Sequence, residues 1–175
     1  MDVDQKPLIN RVAASSLVTV NLEDFYPTDE IKSFDLTDYL WKGLILKEKE
    51  FRAELQSHDW TQYNNRYLCV YCSADAIIPV WAYMLIARYA EPEALDLYCG
   101  TQEEFLHTFF HDALQSFDVQ TLKDKKVVIK GCSNKPVPTS AYFELTKVLR
   151  PLVQSIMYGE PCSTVPIYKK PTNSA

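Results

Sequence analysis

The sequence predicts an α/β fold: a mostly parallel sheet with helices packed on it, built from an internal duplication of about 59 residues, plus an N-terminal antiparallel β arm. Three observations support this prediction. Strand-like and helix-like segments alternate over much of the chain, related segments recur at a fixed offset, and a β-rich segment followed by a proline-containing turn lies near the N-terminus. Strands separated by helices pair in parallel because each helix returns the chain to the starting edge of the sheet.

The duplication is inferred from a Cys-Ser dipeptide that occurs twice in matching surroundings, at Cys72 and Cys132. Each copy follows a Leu-Gln-Ser-x-Asp motif and a β-rich segment, and each precedes a Pro-x-x-Ala-Tyr motif. The offset is 59 residues at both flanking motifs and 60 at the cysteines, so one residue is inserted just before Cys132. Two repeats are therefore predicted, at about residues 44–89 and 102–149, each containing a helix, a strand, a Cys-Ser loop and a second helix.

The antiparallel arm is predicted from the segments before the first repeat. Residues 17–22 are β-rich, the polar segment 23–29 contains a proline, and residues 31–34 are expected to return as a second strand. Asp35 or Thr37 then caps a short helix.

The first repeat and its exit contain four further elements. Apolar residues at helical spacing predict a helix over about residues 47–57, and a β-rich run predicts a strand over 67–72. An apolar helix is expected from about Pro79 to Tyr89. Residues 94–99 form the next predicted strand.

The second repeat begins with a helix whose start is marked by a capping box of Thr101 and Glu104. Its strand is predicted at residues 127–129. A second helix follows from about Thr139, and Pro151 must kink or end it.

Length and composition favour a single domain, residues 1–175, with a flexible tail at about 171–175. The formal net charge of −5 argues against a nucleic-acid-binding protein, which would need a basic surface. The N-terminus lacks the basic-then-apolar order of a signal peptide, and the longest apolar run, residues 76–87, is too short to cross a membrane. We therefore expect a cytoplasmic protein with reduced cysteines and without a membrane partner.

Two familiar kinds of site are not expected. The chain has four glycines and no glycine-rich phosphate loop, which argues against a nucleotide cofactor. His107 and His111 lie four residues apart, but phenylalanines occupy the core face of their helix. The two histidines are therefore expected to face solvent rather than a metal ion.

Cysteines that follow strands point to a candidate metal site. Cys72, Cys99 and Cys132 each follow a predicted strand, which places them at the carboxyl edge of the sheet, where ligands usually bind. The two Cys-Ser loops can present a thiolate together with backbone amides, a combination that suits zinc, iron or an iron–sulfur cluster. The predicted ligands are Cys72, Cys132 and Cys162, which stands in a third Cys-Ser, with Asp75 available for a fourth position.

The remaining cysteines are expected to be plain core residues. Cys69 and Cys99 lack the serine that follows each predicted ligand. Cys69 and Cys72 resemble a chelating C-x-x-C pair, but residues three apart in a strand point to opposite faces. This pair is therefore not interpreted as a metal motif.

Cys162 poses a distance problem for the three-cysteine site. An unbroken helix as far as Tyr158 would place Cys162 roughly 25 Å or more from Cys132, at a rise of about 1.5 Å per residue. A break at Pro151 would let the chain turn back before the last predicted strand, residues 165–168. Alternatively, the partner subunit of a homodimer could supply Cys162. The sequence leaves both routes open.

Seven segments of the chain resemble a known family over nearly the whole sequence. They lie at residues 11–12, 20–27, 43–49, 58–60, 72–77, 130–132 and 155–166. These segments are similar to an uncharacterised bacterial family, the domain of unknown function 2480, for which no activity is established. Members of that family are often encoded beside iron–sulfur assembly genes. The resemblance therefore implies iron–sulfur assembly proteins as partners, and Cys72, Cys132 and Cys162 all lie within the matching segments.

Three functions remain open at this point. The first is an accessory protein of iron–sulfur or metal handling that uses the three-cysteine site. The second is a cysteine-dependent enzyme with Cys72 or Cys132 as its nucleophile. The third is an interaction module with structural cysteines, in which the helix at residues 76–89, apolar nearly all round, is buried in the core or in a homodimer interface.

Overall fold

The chain packs into two compact units. We call residues 27–109 the inserted unit, and residues 1–26 with 110–175 the split unit, because the first interrupts the chain of the second. The predicted single domain is not tested by this division and stays a prediction. The computed structural model describes residues 17–131, 134–160 and 163–171.

Strands and helices alternate as the sequence predicts. In the described chain, the strands and α-helices are β1 (Leu17–Asn21), β2 (Ile31–Asp35), β3 (Leu40–Trp41), β4 (Ile45–Leu46), α1 (Glu48–Ser57), β5 (Tyr67–Tyr71), α2 (Val80–Ala90), β6 (Asp96–Cys99), α3 (Gln102–Ser116), β7 (Lys126–Lys130), α4 (Thr139–Leu149), β8 (Ser155–Glu160) and β9 (Ser163–Lys169). Short 3-10 helices lie at Leu22–Phe25, Leu36–Tyr39, Trp60–Tyr63 and Val119–Leu122. The α/β class with parallel sheets and four helices is confirmed.

The inserted unit is built on a parallel sheet in the order β2-β5-β6. The short strands β3 and β4 form a separate antiparallel pair. Phe51 and Leu55 are one helical turn apart on α1 and are both buried, as is Ile86 on α2. Fully burying such a side chain contributes about 1.5–3 kcal/mol. The core of this unit therefore lies where these two helices cover the sheet.

The split unit is built on a four-stranded sheet in the order β1-β7-β8-β9. Strands β1, β7 and β8 are parallel, and β9 returns antiparallel to β8. Val127, Val128 and Ile129 are buried in succession, as expected for a strand that is covered on both faces. Leu145 and Leu149, one turn apart on α4, are fully buried as well.

The predicted antiparallel arm is wrong, and so is the prediction of one common sheet. β1 pairs in parallel with β7, and β2 pairs in parallel with β5, so the first two strands belong to different sheets. The physical reason lies at the end of β1. The Asn21 side chain accepts a hydrogen bond from the Glu23 amide at 3.3 Å and begins a 3-10 helix where a tight hairpin turn would be needed.

Apart from β3 and β4 in the inserted unit and β9 in the split unit, the two units contain the same order of elements: strand, 3-10 helix, α-helix, 3-10 helix, strand, α-helix, strand. The boundary between the units falls inside α3, which provides the α-helix of the split unit with its C-terminal part. Asn65 and Asp124 precede the middle strands and have left-handed φ values of 56° and 58°. Both positions obey the 59-residue offset. The order and the offset match the predicted repeats, and their common origin stays a prediction.

One side of α2 is apolar and exposed. Ile77, just before the helix, is 94% exposed, and Val80 and Met84 are 76% and 67% exposed. Ala82 and Ile86 form the buried side. The expectation that this helix is buried on most sides is therefore wrong within the single chain. No helix of the described residues is both long and apolar enough to cross a membrane.

Candidate functional site

Three candidate functional residues of the inserted unit lie at the carboxyl ends of its parallel strands. β2 ends at Asp35, β5 leads into Cys72, and β6 ends at Cys99. Because parallel strands end at the same edge, these three residues share the edge at which open α/β sheets bind ligands. Sequence reasoning placed Cys132 at the same edge, but β7 belongs to the other sheet. That part of the prediction is wrong.

The loop after Cys72 is held by the end of β2. Asp35 Oδ1 accepts hydrogen bonds from the Thr37 amide at 2.9 Å and from the Ser73 amide at 3.0 Å. Thr37 Oγ1 accepts the Ala74 amide at 3.0 Å and lies 3.0 Å from Ser73 Oγ. These bonds satisfy the backbone donors of the loop and fix its path beside β2.

The charge state of Asp35 agrees with this anchoring role. Burial by itself would raise the pKa of Asp35, but hydrogen bonds from Ser73 and Thr37 outweigh burial and lower the pKa. The carboxylate is therefore ionised at neutral pH and accepts both amides in its strongest form.

Cys72 is half-buried, and its sulfur has two weak polar neighbours. Sγ lies 3.6 Å from Thr37 Oγ1 and 3.6 Å from the Ala74 carbonyl oxygen. Neither neighbour is a base that could remove the thiol proton. The hydroxyl of Ser73, which follows Cys72, pairs with the Thr37 hydroxyl at 3.0 Å.

The other two cysteines of the inserted unit differ from each other. Cys69 is fully buried, and burial raises the pKa of its thiol to about 11, so the prediction of a core residue is confirmed. Cys99 is exposed, so the same prediction is wrong for it. Burial raises the pKa of Tyr83. Tyr83 and Cys99 line the same small cleft of the inserted unit.

A carboxylate takes the corresponding position in the split unit. Glu23 follows β1 by two residues, as Thr37 follows β2, and it is 9% exposed. Its Oε1 accepts the Asn134 amide at 2.9 Å. Asn134 follows Cys132 by two residues, as Ala74 follows Cys72. The loop after β7 is thus anchored at the same point as the loop after β5, by a different acceptor.

The inserted residue before Cys132 is Gly131. In the strand registers Lys130 pairs with Asn21 and Tyr71 pairs with Asp35, which leaves Gly131 as the extra residue. Its φ is 146°, and a Cβ there would lie 2.9 Å from the Leu22 Cβ. Glycine is required because the end of β7 passes close to the chain that leaves β1.

The neighbours of Cys132 and Cys162 lie at the ends of adjacent strands. Cys132 and Cys162 themselves lie outside the described residues. α4 ends at Leu149, and β8 then runs parallel to β7, with Ile129 paired to Tyr158. The Lys130 ammonium lies 3.5 Å from the Glu160 carboxylate, and Glu160 pairs with Ser163. The chain therefore turns back after Pro151, as one of the two routes for Cys162 requires.

The described residues contain no group of three His, Cys, Asp or Glu side chains that could hold a metal ion. Asp75 is exposed. Cys72 and Asp75 belong to the inserted unit, whereas Cys132 and Cys162 belong to the split unit. The three-cysteine site with Asp75 stays a prediction.

The two helical histidines lie outside any such group. His107 and His111 are both exposed, which confirms the prediction that they face solvent. His111 Nδ1 lies 2.8 Å from the Glu144 carboxylate.

Sequence reasoning missed the surroundings of His58. Its Nδ1 lies 3.3 Å from the Tyr39 hydroxyl, and its Nε2 lies 3.0 Å from the Tyr63 hydroxyl. Burial lowers the pKa of His58, while Asp59 opposes this effect. Burial likewise raises the pKa of Tyr63 to about 12. The aromatic residues at positions 34, 39, 60 and 63 were the sequence signal for this cluster.

The split unit has a cleft with a volume of about 620 Å³. It lies between α4 and strands β7, β8 and β9, beside the loop that follows β7. Its lining residues are Ile129, Lys135, Pro136, Val137, Thr139, Tyr142, Thr146, Met157, Tyr158 and Ile167. The inserted unit has a cleft of about 190 Å³, lined by Val70, Tyr83, Ala87, Leu97, Tyr98 and Cys99.

Comparison with models of protein families identifies the family of this chain. The model of a family described as "Protein of unknown function (DUF2480)" matches residues 6–170. No curated protein and no solved structure matches the chain.

Proposed function

The chain belongs to the DUF2480 family, and from this premise we propose that it binds a metal ion or an iron–sulfur cluster through cysteine thiolates, as an accessory protein of metal or cluster handling. The proposed ligands are Cys132 and Cys162, with Cys72 and Asp75 as the further predicted ligands. Cysteine is the preferred protein ligand of iron–sulfur clusters and one of the common ligands of zinc and iron.

One observation carries the proposal. β7 and β8 are adjacent parallel strands, and the segments that contain Cys132 and Cys162 follow their carboxyl ends. The last residues of the two strands are held together by the Lys130–Glu160 ion pair. Two thiols that are thirty residues apart in the sequence thus follow neighbouring strand ends, which supports a shared site.

Two protein thiolates leave coordination positions open on a tetrahedral metal or on a cluster. Those positions suit exchange with another protein better than permanent structural support. Iron–sulfur assembly proteins are the proposed partners, since they would supply or receive the cargo. Cys72 and Asp75 would fill the open positions if they belong to the same site.

We also propose that the two units arose by duplication, with one copy inserted into the other. The equivalent loop anchors support this: the Ala74 amide binds Thr37, and the Asn134 amide binds Glu23. On this proposal Cys72 and Cys132 occupy equivalent positions, and only the split unit adds a third Cys-Ser.

A homodimer is the remaining proposed assembly. The exposed apolar side of α2, formed by Val80 and Met84 together with the preceding Ile77, supports it. Such a dimer would cover side chains that are otherwise in contact with water.

The test is metal analysis after anaerobic purification and after reconstitution with iron and sulfide or with zinc. Cys132→Ser and Cys162→Ser should each lower the bound metal at least about tenfold, since loss of one thiolate removes a large part of the affinity of such a site. Cys99→Ser is the matched control, because Cys99 is exposed and is not a proposed ligand. It should retain the parent metal content.

The Cys72→Ser variant separates the two forms of the site. Loss of metal in this variant supports the three-cysteine site, and unchanged binding restricts the site to the split unit. A parent protein that takes up neither iron nor zinc, or a Cys162→Ser variant that binds like the parent, would refute the proposal.

A further inference from the structure

We propose that the cleft of the split unit binds a small, largely apolar aromatic molecule that carries one negatively charged group. None of the residues that line this cleft is a proposed metal ligand, and the proposal does not depend on the thiolate site. Three features support the proposal: the volume of the cleft, the chemistry of its lining and its difference from the corresponding cleft of the inserted unit.

The volume and the walls of the cleft suit a small organic molecule. Ligand pockets usually have volumes of about 300–1,000 Å³ and mostly apolar walls with a few polar groups. The cleft has a volume of about 620 Å³, and half of its lining consists of aliphatic or proline side chains. These are Ile129, Pro136, Val137, Met157 and Ile167.

Two tyrosine rings give the cleft its aromatic character. Tyr142 on α4 and Tyr158 on β8 pack edge to face, with their ring centroids 5.8 Å apart. Both residues line the cleft. A flat aromatic ligand can stack on or against such rings, which stabilises the complex beyond the effect of simple area burial.

One cation determines the preferred charge of the ligand. Lys135 is the charged residue among the ten that line the cleft. Its Nζ lies 3.4 Å from the backbone oxygen of Glu23 and 5.4 Å from the ring centroid of Tyr26. These contacts hold the ammonium at the cleft while leaving it able to bind an anion, since an ammonium carries three donors. Thr139 and Thr146 add hydroxyl groups to the same lining.

The corresponding cleft of the inserted unit has a much smaller volume. At the 59-residue offset, Val70, Tyr83, Ala87, Tyr98 and Cys99 correspond to Ile129, Tyr142, Thr146, Met157 and Tyr158. The bulky Tyr98 stands where the split unit has a slender methionine, and the remaining volume is about 190 Å³.

The loop residue at the position of Lys135 differs in charge as well. Asp75 follows Cys72 by three residues, and Lys135 follows Cys132 by three residues. The same frame thus accommodates a smaller cleft and an acidic residue at this position of the loop. The large cleft with a lysine is therefore a property of the split unit and not a necessity of the fold.

The proposal is tested with two fluorescent probes that differ mainly in charge. 1-Anilinonaphthalene-8-sulfonate carries a sulfonate, and N-phenyl-1-naphthylamine lacks it. We expect saturable binding of both probes to the full-length protein, with one high-affinity site per chain. Lys135→Gln should weaken sulfonate binding by about fivefold, the effect of one partly exposed ion pair, and leave binding of the neutral probe unchanged. Lys147→Gln is the matched control, because Lys147 lies on α4 and does not line the cleft.

A second variant tests the location of the site. Met157→Tyr copies Tyr98 of the inserted unit and should reduce binding of both probes by about tenfold or more, because it fills the cleft. Circular dichroism establishes that each variant is folded. Equal sulfonate affinity in the parent and Lys135→Gln would overturn the charge assignment. Unchanged binding of both probes to a folded Met157→Tyr would overturn the site.

Discussion

The inserted and the split unit combine the same order of elements with different cores. In the inserted unit, Phe34 stacks on Tyr39 and on Trp60, with centroid distances of 4.9 and 5.6 Å. In the split unit, the residues that correspond to Phe34 and Trp60 are Val20 and Val119. The same arrangement of strands and helices thus accommodates either an aromatic or an aliphatic core, provided that the backbone geometry is the same.

The two units share the capping hydrogen bonds and the turn geometry of their backbones. Asp59 accepts the Thr61 amide at 3.1 Å, and Asp118 accepts the Gln120 amide at 3.1 Å, so both units begin the second 3-10 helix in the same way. The turn that follows is left-handed in both. Capping and turn geometry set the path of the chain, and the side chains between them are free to diverge.

The largest expected effect comes from the helices that cover the two sheets. Ile86→Ala in α2 and Leu145→Ala in α4 remove fully buried side chains at corresponding positions. Each should lower the free energy of unfolding by about 2–5 kcal/mol, because the lost burial and the new cavity both contribute. Urea denaturation measures the change.

Met84→Ala and Phe143→Ala are the controls on the exposed sides of the same helices, where the side chains are 67% and 72% exposed. They should change stability by no more than about 0.5 kcal/mol. A core variant with an effect as small as its control would break the correspondence between α2 and α4.

A smaller effect is expected at the anchors of the Cys-Ser loops. Glu23→Ala removes the acceptor of the Asn134 amide, and Thr37→Ala removes the acceptor of the Ala74 amide. Unfolding free energies should fall by about 1–3 kcal/mol, with the larger loss at Glu23, which is mostly buried. Hydrogen exchange at the two amides measures the local change.

Glu23→Gln and Thr37→Ser keep an acceptor oxygen at each anchor and should retain most of the protection of the amide. If the alanine variants exchange these amides no faster than the parent, the anchors do not hold the loops and the comparison of the units loses its strongest local support.

The smallest effect is a pH dependence that should be confined to the inserted unit. The pair of Tyr39 and His58 corresponds to Phe25 and Phe117 in the split unit, whose rings pack edge to face at 5.3 Å. Because the pKa of His58 in the folded protein is below its usual value, the unfolded chain binds a proton first as the pH falls. Stability is therefore full above about pH 6.5 and declines below it.

His58→Phe copies the split unit and should reduce this decline. Thermal unfolding measured from pH 7.5 to 5 would show the difference, and His107→Phe is the control, since His107 is exposed. If the parent and His58→Phe lose stability in parallel over this range, the lowered pKa of His58 has no part in it.

Helices with clear local signals could be predicted well from the sequence. The helix expected over 79–89 is α2, and the helix expected from Thr139 begins at that residue. The capping box is formed as predicted, with the Thr101 amide 2.8 Å from the Glu104 carboxylate. These signals are local, so the sequence window around each helix contains the information that positions it.

Pairing between distant segments could not be predicted in the same way. β8 was missed because Ser155–Glu160 comes shortly after Pro151, where the predicted helix was expected to kink or end. This segment forms a strand because it pairs with β7, and the local sequence pattern does not encode that pairing. The cleft was missed for the same reason, since its lining runs from Ile129 to Ile167 and includes a loop lysine without a motif.

The order in which the chain is synthesised has a consequence for the split unit. In the inserted unit, Ile31 of β2 pairs with Tyr67, whereas in the split unit Leu17 of β1 pairs with Lys126, about three times as far along the chain. During synthesis, β1 stays unpaired until the whole inserted unit and then β7 have emerged from the ribosome. Since closing a longer loop costs entropy before any contact compensates, the inserted unit has the kinetic advantage. A nascent chain that stalls after residue 109 would therefore contain one unit able to fold and one exposed strand that a chaperone has to protect.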